Sequence, residues 1–345
     1  MTLIQNEQQG KNANQPWLIN SFPVALAKQG HRFKACVAKE IADSGYCATK
    51  HLYFYGVRDH ELISFCKHYE QTLCAYSQRM SNHADLSFTD EEVITLYLFG
   101  VMEKRTDIKQ IHTYADRHLR DWFPKLPSYT AFVQRLNRVA DVFVPLLTLI
   151  QNEQQGKNDN QPWLIDSFPV ALAKQGHRFK ACVAKEIADS GYCSTKNLYF
   201  YGVRVHIVAR ENRGTLPTPE YIGVTGASHH DGKIVDQIRP VLHNNYLYGD
   251  TAYLRSDAKQ VIEDQNLVVL TPVKKQRRQR LNADEKQRST TLSRIRQPIE
   301  SLFSWIEQQT RIVCASKVRS YNGLMVHVFG KLVAAFYFWN FVRAF

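Results

Sequence analysis

The sequence predicts a mixed α/β sheet with helices packed on it, preceded by a small all-helical module and a partial duplicate of the sheet's own first strands. Three observations carry this. From residue 160 onward the apolar pattern reads strand, strand, strand, helix, strand, helix, strand, helix, which is the order of a mixed sheet covered by helices. Residues 59–147 show helical spacing instead. Residues 2–58 and 148–204 align without gaps and differ only at Ala13/Asp159, Asn20/Asp166, Ala48/Ser194 and His51/Asn197. A single near-identical copy is not a solenoid repeat, whose units are shorter and diverge. It marks a recent partial duplication, with domain boundaries at 1–58, 59–147 and 148–345.

In chain order, the first copy repeats a strand, a basic loop and the start of a second strand, and then stops at Arg58. Two strands alone are marginally stable, so this copy is expected to be loosely ordered, docked elsewhere, or in competition with its twin for one place in a sheet. Residues 59–80 carry Leu62, Ile63, Phe65, Cys66, Tyr69 and Leu73 at helical spacing. Thr89-Asp-Glu-Glu92 reads as a capping box opening the next helix. Further helices are expected over 108–123 and, after the Pro124…Pro127 break, over 128–147. This module suits DNA-end binding, subunit contact or simple packing.

The complete copy predicts a strand at 163–167, a basic loop over 174–196 and a strand over 198–208. A strand over 220–227 follows across a Pro/Gly-rich connection. Helices are expected over 233–242 and 256–265, with short strands at 246–250 and 266–272 between and after them. A long amphipathic helix follows over 292–310, with Ile295, Ile299, Phe303 and Ile306 on one stripe. The apolar end, 324–345, is interrupted by His327, Lys331 and Asn340 and reads as a buried helix rather than a membrane span.

A chain of 345 residues can bury a sizeable core. Its apolar and aromatic content excludes a disordered protein. The net charge of +12 points to a polyanion, nucleic acid ahead of membrane. Seven scattered cysteines without a CxxC pair argue against a disulfide framework or a zinc site. The N-terminus shows no export signal, so a cytoplasmic location is expected.

Three carboxylates stand out. Asp166 ends the apolar strand Trp-Leu-Ile, Asp250 follows Tyr-Leu-Tyr-Gly249, and Glu300 lies on the last long helix one turn after Arg296. Taken singly, an Asp after a strand is commonly a turn or cap residue. As a set, carboxylate oxygens suit hard divalent cations, which keep other positions for water and phosphate. Two such ions can activate a nucleophile and stabilise the leaving oxygen of a phosphodiester.

The blocks Leu-Ile-Asp166-Ser-Phe-Pro-Val, Tyr-Gly-Asp250-Thr-Ala-Tyr and Arg296-x-x-x-Glu300 resemble the catalytic blocks of bacterial insertion-sequence transposases of the Asp-Asp-Glu type. The resemblance is to the insertion sequence 982 family and covers roughly residues 59–345. It implies a ribonuclease-H-like fold, in which the first and fourth strands lie side by side and bring the two aspartates together. It also implies two Mg²⁺ (or Mn²⁺) ions on Asp166, Asp250 and Glu300, with water and then a DNA 3′-hydroxyl as nucleophiles and no covalent protein intermediate. The implied partners are double-stranded DNA, as terminal inverted repeats and target, and further copies of the chain in a dimer or larger assembly; the DNA-bound protein would sit with the bacterial nucleoid. Related families often carry a Tyr three residues before the motif Arg and a Lys seven after the Glu; Ser293 and Glu307 depart from that pattern.

Around the carboxylates, Arg296 can contact a phosphate bidentately, orient Glu300, or form an ordinary i,i+4 ion pair. Lys274, Lys275, Arg277, Arg278 and Arg280 form a basic segment ahead of the long helix, suited to salt-dependent phosphate contacts. Lys174, His177, Arg178 and Lys180 offer the same chemistry in a loop expected beside Asp166. His229, His230 and Asp231 are candidates to support the site or to form a polar turn. The leading reading is therefore a DNA transposase. Its competitors are a non-catalytic DNA-binding derivative that inhibits an intact transposase, motivated by Asn20, and a nuclease of the same fold without strand transfer.

Overall fold

The computed structural model describes residues 23–28, 43–47, 52–58, 73–77, 87–152, 161–193, 197–212, 214–235, 246–253, 268–273 and 281–343. Asn20, most of the helix expected over 59–80, residues 236–242, the helix expected over 256–265 and the basic segment with Lys274, Lys275, Arg277, Arg278 and Arg280 lie outside the described residues.

The first copy contributes β1 (Pro23–Lys28), β2 (Asp43–Cys47) and β3 (Leu52–Arg58), a three-stranded sheet in the order β1-β3-β2. Its twin contributes β4 (Trp163–Lys174), β5 (Asp189–Cys193) and β6 (Leu198–Arg210) in the equivalent order. The registers coincide: Pro23 faces Arg58 as Pro169 faces Arg204, and both β4 and β1 shift register by one residue at the same place. The second sheet is completed by β7 (Thr218–Gly226), antiparallel to β6, and by β8 (Tyr246–Tyr248) and β9 (Val268–Leu270), parallel to β4 and to each other in turn. Its order is β5-β6-β4-β8-β9, with β7 also on β6. With the short β5 set aside as an insert, the first and fourth strands are neighbours. This curled mixed sheet is compatible with a ribonuclease-H-like domain.

β4 runs to Lys174 rather than ending at residue 167. Pro169 suggests a stop because proline cannot donate to a ladder. However, β8 pairs with β4 only at Trp163 and Leu164, and the next neighbour on that edge is the bridge from Ala171 to Cys314. Pro169 falls in the open stretch between them, where a missing donor costs little. The expected loop over 174–196 likewise contains a strand, β5, whose alternating half-exposed residues are too polar to announce it.

The helices are α1 (Asp90–Met102), α2 (Ile108–His118), α3 (Tyr129–Arg138), α4 (Phe143–Asn152), α5 (Ala283–Thr310), α6 (Tyr321–Met325) and α7 (Lys331–Arg343), a π turn over Val326–Gly330 joining the last two. The single helix expected over 128–147 is divided by a 3-10 turn at Ala140–Val142. α5 begins nine residues earlier than its apolar stripe, because Asn282 and Glu285 form a capping box at its start.

α1 is apolar nearly all round and buried, as a central helix should be. α7 lies against it: the Tyr97 hydroxyl donates to the Val326 carbonyl at 3.1 Å, and Gly330 gives the Tyr97 ring room that any Cβ would take. One core runs from these helices through β4 and β6 to α5. A second, on the other face of the sheet, gathers Trp163, Ile165, Val208, Leu247 and Tyr253. α4 crosses the 147/148 boundary and its apolar face joins the larger core. Among the described residues no helix is long and apolar enough to cross a membrane.

The capping box at α1 forms as read. Thr89 N–H donates to Glu92 Oε2 at 2.6 Å, and Glu92 N–H to Thr89 Oγ1 at 3.3 Å. Thr89→Ala should cost about 1 kcal/mol, read as a lower urea midpoint with an unchanged slope.

Candidate active site

Alternation along β4 directs Leu164, Asp166 and Phe168 to the face covered by α5, where the Phe168 and Phe303 rings meet edge to face at 4.9 Å. β8 pairs in parallel, with Trp163 opposite Leu247 and Leu164 opposite Tyr248. Continuing that register sets Ile165 beside Gly249 and Asp166 beside Asp250. The contact at Gly249 agrees, since a Cβ there would stand 2.9 Å from Ile165 Cγ2 and 3.1 Å from Tyr253 Cδ2. Glycine thus lets two strands approach closely at the step before the second carboxylate.

Each aspartate accepts the N–H of its own successor on Oδ1, Ser167 at 2.8 Å and Thr251 at 2.6 Å, which fixes one oxygen of each carboxylate. Arg296 joins the third carboxylate to the first. Its Nη1 pairs with Asp166 Oδ2 and its Nη2 with Glu300 Oε1 at 2.7 Å, while its buried Nε finds no partner among the described residues. Burial pushes the Asp166 carboxyl up to about 6; Arg296 and the Ser167 N–H oppose that, and the charges of Asp250 and Glu300 add to it. Asp166 therefore feels the charges of both Asp250 and Glu300, residues far from it in sequence. A groove of about 440 Å³ runs along α5 past Lys286, Ser289 and Arg294 to Arg296 and Glu300.

The donor set is all carboxylate oxygen, the chemistry that suits a hard divalent cation. Among the described residues no three ligand-type side chains enclose an ion-sized space, and the Arg296 guanidinium occupies the position between Asp166 and Glu300. Glu307, at the departing motif position, accepts from Val313 N–H at 2.9 Å and secures the exit from α5.

Behind Asp166 lies a polar cluster in which Asp231, a residue singled out in the sequence, is joined by Ser167, Arg204 and Tyr253, which were not. The Ser167 side chain hydrogen-bonds Asp231 and Tyr253. Arg204 donates from Nη1 to both Asp231 oxygens at 3.0 Å and from its other nitrogens to the Ala227 and Tyr192 carbonyls. Asp231 thus pins the loop after β7 to β6. His230 Nδ1 accepts from Gly232 N–H at 3.2 Å, and His229 faces Asp189 at 3.7 Å. The one sequence clue to Arg204 was its place at the end of the duplicated stretch.

His206, fully buried on β6, lies within 2.8 Å of Thr225 Oγ1 and is pushed down to about 4, first by burial and then by Arg204. A depressed imidazole contributes stability above its unfolded value near 6.5, and that contribution is lost as the pH falls through about 4. Buried His327, pushed down to about 3, acts in the same direction. Melting temperature should therefore fall between pH 6.5 and 4, and His206→Gln should remove up to about 3 kcal/mol of that loss.

The basic loop lies elsewhere than expected. Because β4 continues for eight residues past Asp166, Lys174 and the 3-10 turn Gln175–Lys180, with His177, Arg178 and Lys180, start about 25 Å along the strand. There Arg178 stacks on Phe179 and Tyr199, 4.1 and 4.6 Å from the ring centroids.

A family model described as a transposase DDE domain matches residues 158–337, a span that opens just before β4, closes within α7 and contains all three carboxylates. No curated protein and no solved structure matches the chain. With more than half of its length covered by that model, the chain belongs to the transposase DDE-domain family.

Proposed function

We propose that this chain is an insertion-sequence transposase that cleaves DNA strands at the element's ends and transfers them to a target, with Asp166, Asp250 and Glu300 as its catalytic carboxylates. The observation that carries the reading is the parallel register of β4 and β8, which sets Asp166 beside Asp250 while Arg296 ties Asp166 to Glu300. The finer assignment to the insertion sequence 982 family rests on the three sequence blocks.

Asp166 and Asp250 are the residues that would hold Mg²⁺ or Mn²⁺, as a pair of ions, each with one oxygen already oriented by a backbone N–H. Glu300, half exposed on α5, would complete the set. Bound there, such ions supply an activated water or 3′-hydroxyl and charge stabilisation at the leaving oxygen. Arg296 neutralises two carboxylates in their place and, once released, can grip a phosphate with two parallel N–H donors. Lys286 and Arg294 line the groove leading to it, and the segment with Lys274, Lys275, Arg277, Arg278 and Arg280 immediately precedes it in sequence.

Full-length protein, Mg²⁺ and end-labelled DNA carrying the inverted repeats that flank the gene should give cleaved ends and, with target DNA, joined products. Cutting without joining would make it a nuclease, and no cutting with either Mg²⁺ or Mn²⁺ would sink the reading.

A second reading is favoured by the separate sheet of β1, β3 and β2, which repeats the registers of β4, β6 and β5, while the sequence position equivalent to Asp166 is Asn20. An amide is a poorer partner for Mg²⁺ than a carboxylate. If this copy makes the chain an inhibitor of an intact transposase, deleting residues 1–58 should raise its activity or change its oligomeric state; unchanged behaviour makes the copy passive.

A further inference from the structure

A second cavity, of about 640 Å³, opens on the sheet away from the α5 groove. Its near end is Ala252, two residues beyond Asp250, and Asp231; its far end is Arg178 and Phe179. Its lining includes three aromatic side chains that the fold leaves in solvent: Phe179 is 75% exposed, Tyr199 51% and Tyr192 39%. These rings serve no core. Instead the Arg178 guanidinium lies over Phe179 and Tyr199, and the Tyr192 and Tyr199 rings are 4.7 Å apart. The Tyr192 hydroxyl donates to Asn197 Oδ1 at 2.7 Å, which holds that ring in place. Polar groups of Ser228 and His229 line the same wall.

Flat, exposed aromatic faces grouped with a guanidinium plane and a few hydrogen-bonding groups form the chemistry that receives an unstacked base. A folded peptide surface would need a broader apolar patch than three rings interleaved with cationic groups. We propose that this cavity takes a nucleobase from a single-stranded stretch of the DNA engaged at Asp166 and Asp250, with Phe179 and Tyr199 as the stacking platforms. This inference rests on the reading of the chain as a DNA-processing enzyme. It gives His229 and Asp231 a setting, as wall and anchor of the base-binding cavity. It also gives Arg178 a partner other than duplex phosphate.

Fluorescence anisotropy with full-length protein and three DNAs tests it: a blunt duplex, the same duplex with a short single-stranded tail, and that tail made of abasic sugars. The tail should tighten binding and the abasic tail should not, since it keeps the phosphates and loses the bases. Phe179→Ala combined with Tyr199→Ala should weaken binding of the tailed duplex roughly 5- to 100-fold, and Tyr199→Phe, which keeps the ring, should bind as the parent does. An unchanged melting temperature for the double variant, expected from its exposed positions, shows that the loss is not unfolding. A tail effect that survives either the abasic sugars or the double substitution overturns the base-binding cavity alone. Failure to bind any of the three DNAs overturns the DNA-processing reading, and the cavity with it.

Discussion

Asp166→Asn should abolish strand cleavage and leave a metal-free protein at least as stable as the parent at pH 7. The loss of activity follows from the removal of a negative oxygen that a divalent cation needs; a metal-stabilised transition state weakened by several kcal/mol is slower by about a thousandfold or more. The stability follows from the carboxyl being pushed up to about 6 by burial. An acid raised in the folded state contributes stability below its unfolded value near 3.8, and that contribution is lost as the pH rises through about 6. At pH 7 the parent therefore carries an ionised Asp166 at a cost. With a fifth of the side chain still in solvent, that cost is about 1–2 kcal/mol. Asparagine resembles the protonated acid and avoids it. Thermal melts in EDTA at pH 7 and a cleavage assay in Mg²⁺ read the two effects separately. Cutting at the parental rate would remove Asp166 from the chemistry, whereas a melt lowered by several degrees would show that its charge supports the fold.

Gly202→Ala should be strongly destabilising. Gly202 faces Ala171 across the register shift of β4, and a Cβ there would stand 2.1 Å from the Val170 carbonyl oxygen and 3.2 Å from Leu172 N. Both are backbone atoms of a strand held on its other edge by Val313 and Ala315, so β4 cannot step aside cheaply. A loss of about 3 kcal/mol is expected, or roughly 6–10 °C in melting temperature. Asp166 sits on the same strand, so cleavage should fall as well. Gly56, its twin opposite Ala25, is the control. Gly56→Ala loads the separate sheet of the first copy and should leave the main transition and the cleavage rate as they were.

The three carboxylates stood out because each ends or flanks a short apolar block, and the strands β4, β6, β7, β8 and β9 and the helix α5 were legible from period alone. Their convergence was not, because it depends on β8 returning more than 80 residues later to pair in parallel with β4, a pairing no local pattern encodes. Arg296 shows the divide within one residue. Its contact with Glu300 is one helical turn away and was read directly, while its contact with Asp166 spans 130 residues and emerges only from packing. Ending that strand at residue 167 erred in the other direction, since whether a proline such as Pro169 can sit within a strand depends on whether the neighbouring edge is filled. That error shortened β4 and drew the loop of Lys174, His177, Arg178 and Lys180 toward Asp166. The three exposed rings were equally hidden: an aromatic in a strand usually packs inward, and only the fold shows that Tyr192 and Tyr199 do not and that Phe179 meets them from a turn.

α5 carries one further consequence. At 28 residues it is a rod about 42 Å long. Its second half is anchored by Ile299, Leu302 and Ile306, all fully buried, while of its first ten residues most are exposed. Pro298 sits at the join, where it can neither donate the N–H owed to the Arg294 carbonyl nor avoid crowding it. The rod is thus most compliant between Arg296 and Glu300, which lie on opposite sides of that joint and are coupled by a single ion pair. Load applied by a polyanion along the free half would be felt first as a change in the spacing of those two side chains, which makes the helix a mechanical gauge of whatever is seated beside Glu300.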